Sequence, residues 1–272
     1  MTGLGSDGQA VELSRGRLLT EERRRAILDI INRYGSALIS ELSKQFGVSA
    51  VTVRADINAL CERDLIVRSH GGAIRRGEVV LDAPLEVKAG LHHDEKVRIG
   101  KAAASLVREG EIILLDSGTT TLEAARALSQ RGVSRLTVVT HALNVAWELS
   151  AFPQISVIMI GGLLRRISGS FVGPQAQKMI ADLHVDHFFL AVDGLEPEVG
   201  PSTPDVLEAE LNAAMIRMAK QVTVLADSSK IGRRSLSTIA PMSSIHRIIT
   251  DSGIRAEHRA VLESKGIEVI VV

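Results

Sequence analysis

Cysteine is nearly absent: Cys61 is the single one among 272 residues. One cysteine excludes an internal disulfide framework and cannot build a cysteine-rich metal site, and Cys61 is interpreted as a small packed side chain. Long apolar runs are missing too, since none approaches the ~20 residues that span a bilayer. No basic start followed by an apolar stretch marks an export signal. We expect a cytoplasmic protein with no membrane partner, metal or cofactor.

Net charge is the next absence, because 32 basic and 32 acidic side chains cancel. Such a balance is unusual for a nucleic-acid binder, but the distribution along the chain is uneven. Residues 18–76 hold ten basic and seven acidic side chains. This modest excess permits contacts with DNA phosphates without proving them. The length and the 45% hydrophobic content are sufficient for two folded domains.

The pattern of apolar residues divides the chain into four parts. Residues 1–17 are rich in Gly and Ser without apolar periodicity, which predicts a flexible tail. Residues 18–75 are predicted to form a small helical DNA-binding domain. Residues 76–92, which include Pro84, lose the pattern and are predicted to be a linker. Residues 93–272 are predicted to form a larger effector-sensing domain.

Three helices and a short β-ribbon are predicted in residues 18–75. The first helix begins near Thr20, and the second covers residues 41–46. After a tight Gly47–Ser49 turn, Ser49 caps a third helix over residues 50–63. Two helices joined by a glycine turn, followed by a ribbon, favour a winged helix-turn-helix. The alternative is a small three-helix domain without DNA-binding function.

The third helix supplies the predicted DNA contacts. Val53, Ile57 and Leu60 repeat at helical spacing and should face the core, so the other residues near the capped start should face DNA. Arg54 suits a guanine, and Thr52 suits a phosphate or a thymine methyl. The predicted DNA-binding residues are Arg23, Ser49, Val51, Thr52, Arg54, Ala55, Asn58, Arg68 and His70.

Apolar, often β-branched runs alternate with amphipathic stretches after residue 93. The predicted strands cover residues 112–115, 136–139, 155–160, 187–192, 222–226, 247–250 and 267–272. The predicted helices cover residues 94–108, 122–130, 143–150 and 205–220. Such alternation predicts an α/β domain with a mostly parallel sheet covered on both faces.

Polar residues follow most of these strands, and the carboxyl ends of parallel strands meet at one edge of a sheet. The Asp116–Thr121 loop combines a glycine, hydroxyl groups and a helix start, which suits a phosphate. Lys230 suits a phosphate as well, and the aspartates suit sugar hydroxyls. The predicted effector-binding residues are Asp116, Ser117, Gly118, Thr119, Thr120, Thr121, Thr140, His141, Gly161, Gly162, Asp193, Gly194, Glu208, Asp227 and Lys230.

Short motifs in both halves resemble the DeoR family of sugar-catabolism repressors. In the first half they are 22–28, 39–42, 48–49, 52–57 and 68–73; in the second, 116–121, 138–140, 161–162, 173–174, 192–194 and 225–230. The segments 203–204, 208–212 and 232–236 look most like the amino-sugar (N-acetylgalactosamine) regulon repressors. Two residues depart from the family pattern: Ala55 replaces a usual arginine, and His141 replaces a usual asparagine.

The resemblance implies a winged helix-turn-helix and an effector domain of the ribose-5-phosphate isomerase fold. It implies a repressor of a sugar or amino-sugar catabolic operon, with operator DNA and a phosphorylated sugar as its partners. A homo-oligomer, dimer or tetramer, is expected from the symmetry of operators. The alternatives are a sugar-phosphate isomerase-like enzyme with Glu196 or Glu208 as its base, and a DNA-binding scaffold that senses nothing.

Overall fold

The computed structural model describes residues 20–34, 36–63, 65–69, 72–75 and 82–272. Three predicted features lie outside the described residues: the tail over residues 1–17, the linker residues 76–81, and His70. No helix within the described ranges is long and apolar enough to cross a membrane.

The N-terminal module is a winged helix-turn-helix, as predicted. Its elements are α1 (Thr20–Tyr34), β1 (Ser36–Leu38), α2 (Ile39–Phe46), α3 (Ala50–Glu62), β2 (Ile66–Ser69) and β3 (Gly72–Arg75). Strand β3 pairs antiparallel with both β1 and β2. Strand β1 was not predicted, because three residues are too few to show an alternating pattern. Gly47 joins α2 to α3 with a φ of +61°, a conformation that favours glycine.

Apolar stripes on the helices make the core of this module. Ile27 and Ile31 of α1 pack against Val53, Ile57 and Leu60 of α3, and all five side chains are buried. Burying one such side chain stabilises a fold by about 1.5–3 kcal/mol. The predicted inward face of α3 is therefore confirmed, and the exposed residues Val51, Arg54 and Ala55 lie on the outer side of the helix.

The larger domain is built on a seven-stranded, all-parallel sheet with strand order β15-β14-β12-β9-β4-β5-β6. These strands are β4 (Ile112–Leu115), β5 (Leu136–Thr140), β6 (Ile155–Met159), β9 (Val185–Ala191), β12 (Ala219–Leu225), β14 (Arg247–Thr250) and β15 (Glu268–Val271). Each of the seven predicted strands is present within a few residues of its expected bounds, so the α/β fold class is confirmed.

Helices cover both faces of the sheet. On one face lie α5 (His93–Leu106), α6 (Thr119–Arg131) and α7 (Leu143–Leu149); on the other lie α8 (Pro174–Ile180), α9 (Val206–Met218) and α10 (Ala256–Ser264). Phe188 and Phe189 of β9 are both buried but belong to opposite cores, because neighbouring strand residues point to opposite faces. This two-sided burial explains why the strands are continuous apolar runs.

Chain order reverses between β4 and β9. From β4 the chain moves outward through β5 and β6, then returns to the other side of β4 with β9 and continues to β12, β14 and β15. A crevice opens at the carboxyl ends of the strands where the order reverses, and ligands of open α/β sheets bind there. The loops after β4, β9 and β12 meet at this crevice.

Small strands cover the carboxyl edge of the sheet and were not predicted. They are the hairpin β7 (Leu163–Arg165) and β8 (Ser170–Val172), and the sheet of β10 (Gly194–Glu196), β11 (Gly200–Thr203) and β13 (Ser237–Thr238). Strands of two to four residues give too little alternation to be recognised from sequence.

The predicted linker needs correction in its second half. Residues 85–90 form a helix, α4 (Leu85–Gly90), for which Pro84 is the N-cap residue. The Leu85 N–H donates to the Ile167 carbonyl at 3.1 Å, and Lys88 Nζ lies 2.7 Å from Asp193 Oδ1. Residues 82–92 therefore belong to the larger domain. Pro84 interrupts the apolar pattern at the start of α4. Because proline is favoured at helix starts, its presence does not identify a linker.

Candidate DNA-binding and effector sites

The start of α3 presents the predicted DNA-binding surface. Val51 is 70% exposed, and Arg54 and Ala55 are exposed beside it, while Thr52 and Asn58 are half-buried. Ser49 caps the helix, since its Oγ accepts the Thr52 N–H at 3.1 Å. The cap fixes the first turn of α3 and leaves its remaining N–H groups directed outward.

Arg23 lies elsewhere than predicted. Its side chain is buried, only 7% of the residue is exposed, and its Nε pairs with Asp56 Oδ2 at 2.6 Å. Arg24 Nε holds the other oxygen of Asp56 at 3.0 Å. This arrangement ties α1 to α3, so we assign Arg23 to the interior and withdraw the expected phosphate contact. The spacing of four between Arg23, Ile27 and Ile31 was a signal that Arg23 lies on the buried stripe.

The wing carries the remaining predicted contacts. Arg68 on β2 is exposed, which leaves it accessible to a DNA backbone. His70 follows β2 and lies outside the described residues, so its predicted role stays a prediction.

A cavity of about 160 Å³ lies at the reversal point of the sheet. The loops after β4, β9 and β12 line it, together with α4, the start of α5 and the start of α9. Predicted effector-binding residues that line it are Asp116, Ser117, Gly118, Thr119, Thr120, Asp193, Glu208, Asp227 and Lys230. The prediction that loops distant in sequence converge at the carboxyl edge of the sheet therefore agrees with the structure.

Three predicted polar side chains lie behind the cavity wall. The Thr121 hydroxyl donates to the Gly118 carbonyl at 3.1 Å, and the Thr140 hydroxyl donates to the Leu115 carbonyl at 2.8 Å. His141 is fully buried between Asp116 and the Phe171 carbonyl. These groups stabilise the loops that form the cavity, and we withdraw them as direct ligand contacts.

Three predicted glycines also lie away from the cavity. The Gly161 N–H donates to Met179 Sδ at 3.3 Å. At Gly162, with a φ of +156°, an added Cβ would stand 2.7 Å from the Val172 carbonyl oxygen. Gly194 belongs to β10. Gly162 and Gly194 allow close backbone packing, and none of the three glycines is among the residues that line the cavity.

Helices supply cavity residues that were not predicted. They come from α4 and the turn after it, from α5 and from α9, and the loops add others; the set is Lys88, His92, Lys96, Ser168, Thr203, Asn212, Ser229 and Arg233. Lys96 has a detectable sequence signal, because a lysine among the apolar positions of an amphipathic helix is rarely buried without a purpose.

The loop after β4 forms the part of the cavity wall that leads into α6. Gly118 has a φ of +138°, and an added Cβ would stand 3.1 Å from Ala191 Cβ, so only glycine fits. Ser117, Thr119 and Thr120 surround the first turn of α6, a helix of 13 residues. Among the described residues, no side chain caps this helix start, which leaves N–H groups and the positive end of the helix directed at the cavity.

Lys96 adds a cation to this surface. It is only 4% exposed, and its Nζ donates to the Lys88 carbonyl. Burial lowers the pKa of Lys96 to about 8, against the opposing charge of Asp227. The amine is therefore protonated over most of the physiological range, and an anion in the cavity would favour that protonated form.

Asp193 lies between two lysines on the cavity wall. Lys88 Nζ is 2.7 Å and Lys230 Nζ is 3.9 Å from its Oδ1. Burial alone would raise the pKa of Asp193, but the two ammonium groups outweigh burial and hold it below its ordinary value. Lys88 thus joins α4 to the end of β9 through an ion pair.

Asp116 has its acceptor capacity filled by the protein. Its Oδ1 faces the Ser117 N–H at 2.7 Å and His141 Nε2 at 2.8 Å; its Oδ2 accepts from the Ala191 N–H at 3.0 Å and Asn212 Nδ2 at 3.3 Å. A carboxylate offers about four lone-pair positions. Asp116 therefore anchors β4, β9 and α9 to one another, and little capacity is left for a sugar hydroxyl.

Asn212 carries an acceptor that the protein leaves open. Its Nδ2 faces Asp116, which fixes Oδ1 on the other side of the amide, and among the described residues no donor meets that oxygen. The residue is 4% exposed and lines the cavity. A buried acceptor without a donor costs free energy, and a ligand hydroxyl or amide N–H would satisfy it.

Glu208 on the cavity wall is held by three neighbours. It accepts from Ser170 Oγ at 2.7 Å and Thr203 Oγ1 at 3.3 Å, and Arg165 Nη1 lies 3.4 Å away. Glu196 on β10 is absent from the cavity wall. Across the described ranges, no group of three or more His, Cys, Asp or Glu side chains is arranged to hold a metal ion.

A winged helix-turn-helix joined to a sheet with a polar cavity is the architecture of transcription regulators that bind DNA with one domain and a small molecule with the other. Residues 23–78 match the DeoR-like helix-turn-helix domain, and residues 91–252 match the DeoR C terminal sensor domain. The chain therefore belongs to the DeoR family of transcription regulators, which confirms the family predicted from its motifs.

Curated relatives match along nearly the whole chain. A protein named as an aga operon transcriptional repressor, from Escherichia coli O157:H7, is 38% identical and covers 93% of this chain and 94% of its own. The regulator YulB of Bacillus subtilis is 36% identical, covering 94% and 98%. Among solved structures, ribose 5-phosphate isomerase A from Methanocaldococcus jannaschii aligns with a TM-score of 0.39 and 18% identity, covering 51% of this chain and 54% of that one.

Proposed function

We propose that this regulator represses a sugar-catabolic operon and that a phosphorylated sugar in the cavity controls its binding to operator DNA. One observation carries the proposal. The cavity combines an uncapped helix start and a buried lysine, which suit a phosphate, with an unsatisfied amide oxygen, which suits a hydroxylated ligand. The name of the E. coli relative, which refers to an operon repressor, supports the repressor assignment.

The phosphate is assigned to the loop after β4. The N–H groups at the start of α6 and the hydroxyls of Ser117, Thr119 and Thr120 are donors, and the helix end contributes positive potential. Lys96 supplies a point charge on the same wall. Together these groups replace the hydration that a dianion loses on entering the cavity.

The sugar is assigned to the remaining cavity wall. Asn212 Oδ1 is an acceptor for a hydroxyl or an acetamido N–H, and Asp193, Asp227 and Glu208 are further acceptors around the same space. An N-acetylated amino sugar fits this set, since the sequence motifs 203–204, 208–212 and 232–236 resemble amino-sugar repressors.

Control of DNA binding is assigned to α4. This helix is the first described element after the DNA-binding module, and it contributes Lys88 to the cavity wall. A phosphosugar that binds Lys88 or Asp193 competes with the ion pair between them. Effector binding would therefore act on the helix that directly follows the segment between the two domains, and we infer that occupancy changes the affinity for operator DNA in this way.

An isomerase reading has less support. A proton-abstracting base needs to reach the substrate, but Glu196 does not line the cavity and Glu208 is held by Ser170, Thr203 and Arg165. Both observations favour a sensor without catalysis.

A thermal-shift screen of the full chain tests the proposal. The panel contains hexose 6-phosphates, N-acetylhexosamine 6-phosphates and each unphosphorylated parent sugar. A true effector at a hundred times its Kd stabilises the protein by roughly 2.7 kcal/mol, and we expect its parent sugar to bind at least tenfold more weakly. The operator comes from selection on randomised duplexes, and the effector should shift the binding isotherm on it.

Asn212→Ala sharpens the screen. This variant should weaken the sugar phosphate about tenfold, since one buried hydrogen bond is worth about 1 kcal/mol or more. Inorganic sulfate, which offers no hydroxyl to Asn212, is the matched control ligand and should bind the variant and the parent protein alike. Equal binding of phosphorylated and free sugars would remove the phosphate assignment.

A further inference from the structure

His141 connects the loop after β5 to the loop after β4 and to the small hairpin. Its Nδ1 lies 3.0 Å from the Phe171 carbonyl oxygen, and its Nε2 lies 2.8 Å from Asp116 Oδ1. A carbonyl oxygen only accepts hydrogen bonds, so Nδ1 carries a hydrogen. The state of Nε2 is then decided by what faces it.

His141 Nε2 faces Asp116 Oδ1, and a hydrogen bond between these two atoms needs a proton on one of them. The Ser117 N–H lies 2.7 Å from Asp116 Oδ1 and 3.2 Å from Nε2, and one hydrogen cannot satisfy both atoms fully. If neither His141 nor Asp116 held another proton, two lone pairs would oppose each other at 2.8 Å in a fully buried place. One shared proton removes that repulsion and makes the pair neutral overall, as imidazolium with carboxylate or as imidazole with carboxylic acid.

We propose that His141 is a positioning residue for the effector site, because the proton it shares with Asp116 keeps this buried pair neutral directly behind the phosphate-binding loop and makes anion affinity depend on pH. The inference rests on the proposed function, since it concerns the same cavity. Asp116 Oδ1 accepts the N–H of Ser117, the next residue of that loop, at 2.7 Å. A net negative charge on the pair would therefore stand immediately behind the bound anion.

Few other charges face the pair. Glu208 on α9 acts on both groups, and Arg165 on β7 lies 3.4 Å from Glu208 and partly balances it. Asn212 on α9 and Ala191 after β9 are neutral. Burial alone would lower the pKa of His141, but the hydrogen bond and charge of Asp116 outweigh burial and raise it above its ordinary value. Burial also raises the pKa of Asp116, against the effect of His141.

The direction of the pH effect follows from these shifts. Below its raised pKa the pair holds the shared proton and is neutral. As the pH rises through a pKa above the ordinary value of histidine, about 6.5, the proton is lost and the pair becomes singly negative. Anion affinity should therefore be highest at neutral and mildly acidic pH and fall above it.

Nitrogen NMR of the unliganded full chain tests the shared proton. The measurement is made on the parent protein, so it does not depend on whether a variant folds. Ring ¹⁵N shifts and couplings distinguish imidazolium from neutral imidazole, and His141→Asn identifies the His141 signals. We expect both ring nitrogens to sense a proton at pH 7, with titration above pH 6.5. A neutral His141 ring at pH 7 whose Nε2 senses no proton from Asp116 overturns the inference.

Inorganic sulfate binding tests the consequence, because sulfate stays a dianion over the whole range. His141→Asn installs the residue usual in the family and cannot titrate. Between pH 6.5 and pH 9 the parent protein should lose about fivefold more sulfate affinity than this variant, the scale of one charge acting through a partly solvated site. Lys96 also deprotonates in this range, near a pKa of about 8, but it does so in both proteins.

The outcomes separate the two proposals. Parallel pH profiles for the parent protein and His141→Asn contradict the role of His141 and leave the effector site standing. If sulfate binds neither protein in competition with a sugar phosphate, the phosphate site itself is contradicted, and with it the proposed function.

Discussion

Asp56 in the DNA-binding module and Asp193 in the sensor each lie between two cations. Asp56 is held by Arg23 and Arg24 in the DNA-binding module, and Asp193 is held by Lys88 and Lys230 in the sensor. Asp56 is 1% exposed and packs between two helices, whereas Asp193 lines a cavity. The same charge pattern thus joins helices permanently where solvent is excluded, and can exchange partners where a ligand has access.

The choice of cation agrees with this difference. Arg23 and Arg24 each approach Asp56 through Nε, and a planar guanidinium retains further N–H donors at fixed angles for other acceptors. A lysine ammonium is a compact point charge on a flexible stem, which moves between acceptors at little cost. Arginine therefore suits a fixed link, and lysine suits a contact that an effector displaces.

The largest effect should follow from breaking the arginine link. Asp56→Ala leaves Arg23 buried beside Arg24 without their shared carboxylate, and removal of one partner of a buried ion pair costs about 3–5 kcal/mol. Since Arg24 is partly exposed, we expect about 3 kcal/mol of destabilisation in urea unfolding, with operator binding lost. Glu62→Ala on the exposed side of α3 is the control, and a loss of equal size there would contradict a specific role for Asp56.

A smaller effect is expected from an arginine that faces outward. Arg54 is exposed near the capped start of α3, so Arg54→Ala should weaken operator binding by roughly 1–3 kcal/mol while stability stays within about 0.5 kcal/mol. Gel-shift titrations on the selected operator and on a scrambled duplex measure this. If the variant and the parent protein bind both duplexes alike, Arg54 does not read bases.

The smallest effect on operator affinity in the absence of effector should come from breaking the lysine link. Lys88→Met keeps most of the side-chain volume, and Lys230 still faces Asp193 once the Lys88 pair is lost, so we expect a smaller loss of stability than for Asp56→Ala. Its consequence should appear in regulation instead, as a reduced influence of the effector on operator affinity. A Lys88→Met protein that responds to effector as strongly as the parent would exclude α4 as the connecting element. Lys265→Met, which removes the exposed pair with Glu198, is the matched control.

Periodicity predicted what depends on neighbouring residues along the chain. Val53, Ile57 and Leu60 defined the buried face of α3, and β-branched runs marked all seven strands, because burial on both faces requires continuous apolar sequence. The location of the cavity was also predictable, since it follows from where parallel strands end.

Direction of side chains at the cavity was not predictable to the same extent. Thr120 and Thr121 are neighbours in a helix start, yet one lines the cavity and the other bonds the Gly118 carbonyl. Lys96 and Asn212 reach the cavity because α5 and α9 pack on the two faces of the sheet at particular angles. Those angles result from packing between distant segments, which a local pattern does not contain.

Helix α4 has a practical consequence for separating the two domains. The family match to the sensor begins at residue 91, but Leu85 and Lys88 already line the cavity. A sensor fragment starting at residue 91 would lose one wall of its binding site and the partner of Asp193. A protease or a gene truncation that preserves the site must therefore cut before Asp82, whose carboxylate already pairs with Lys88 and Arg165.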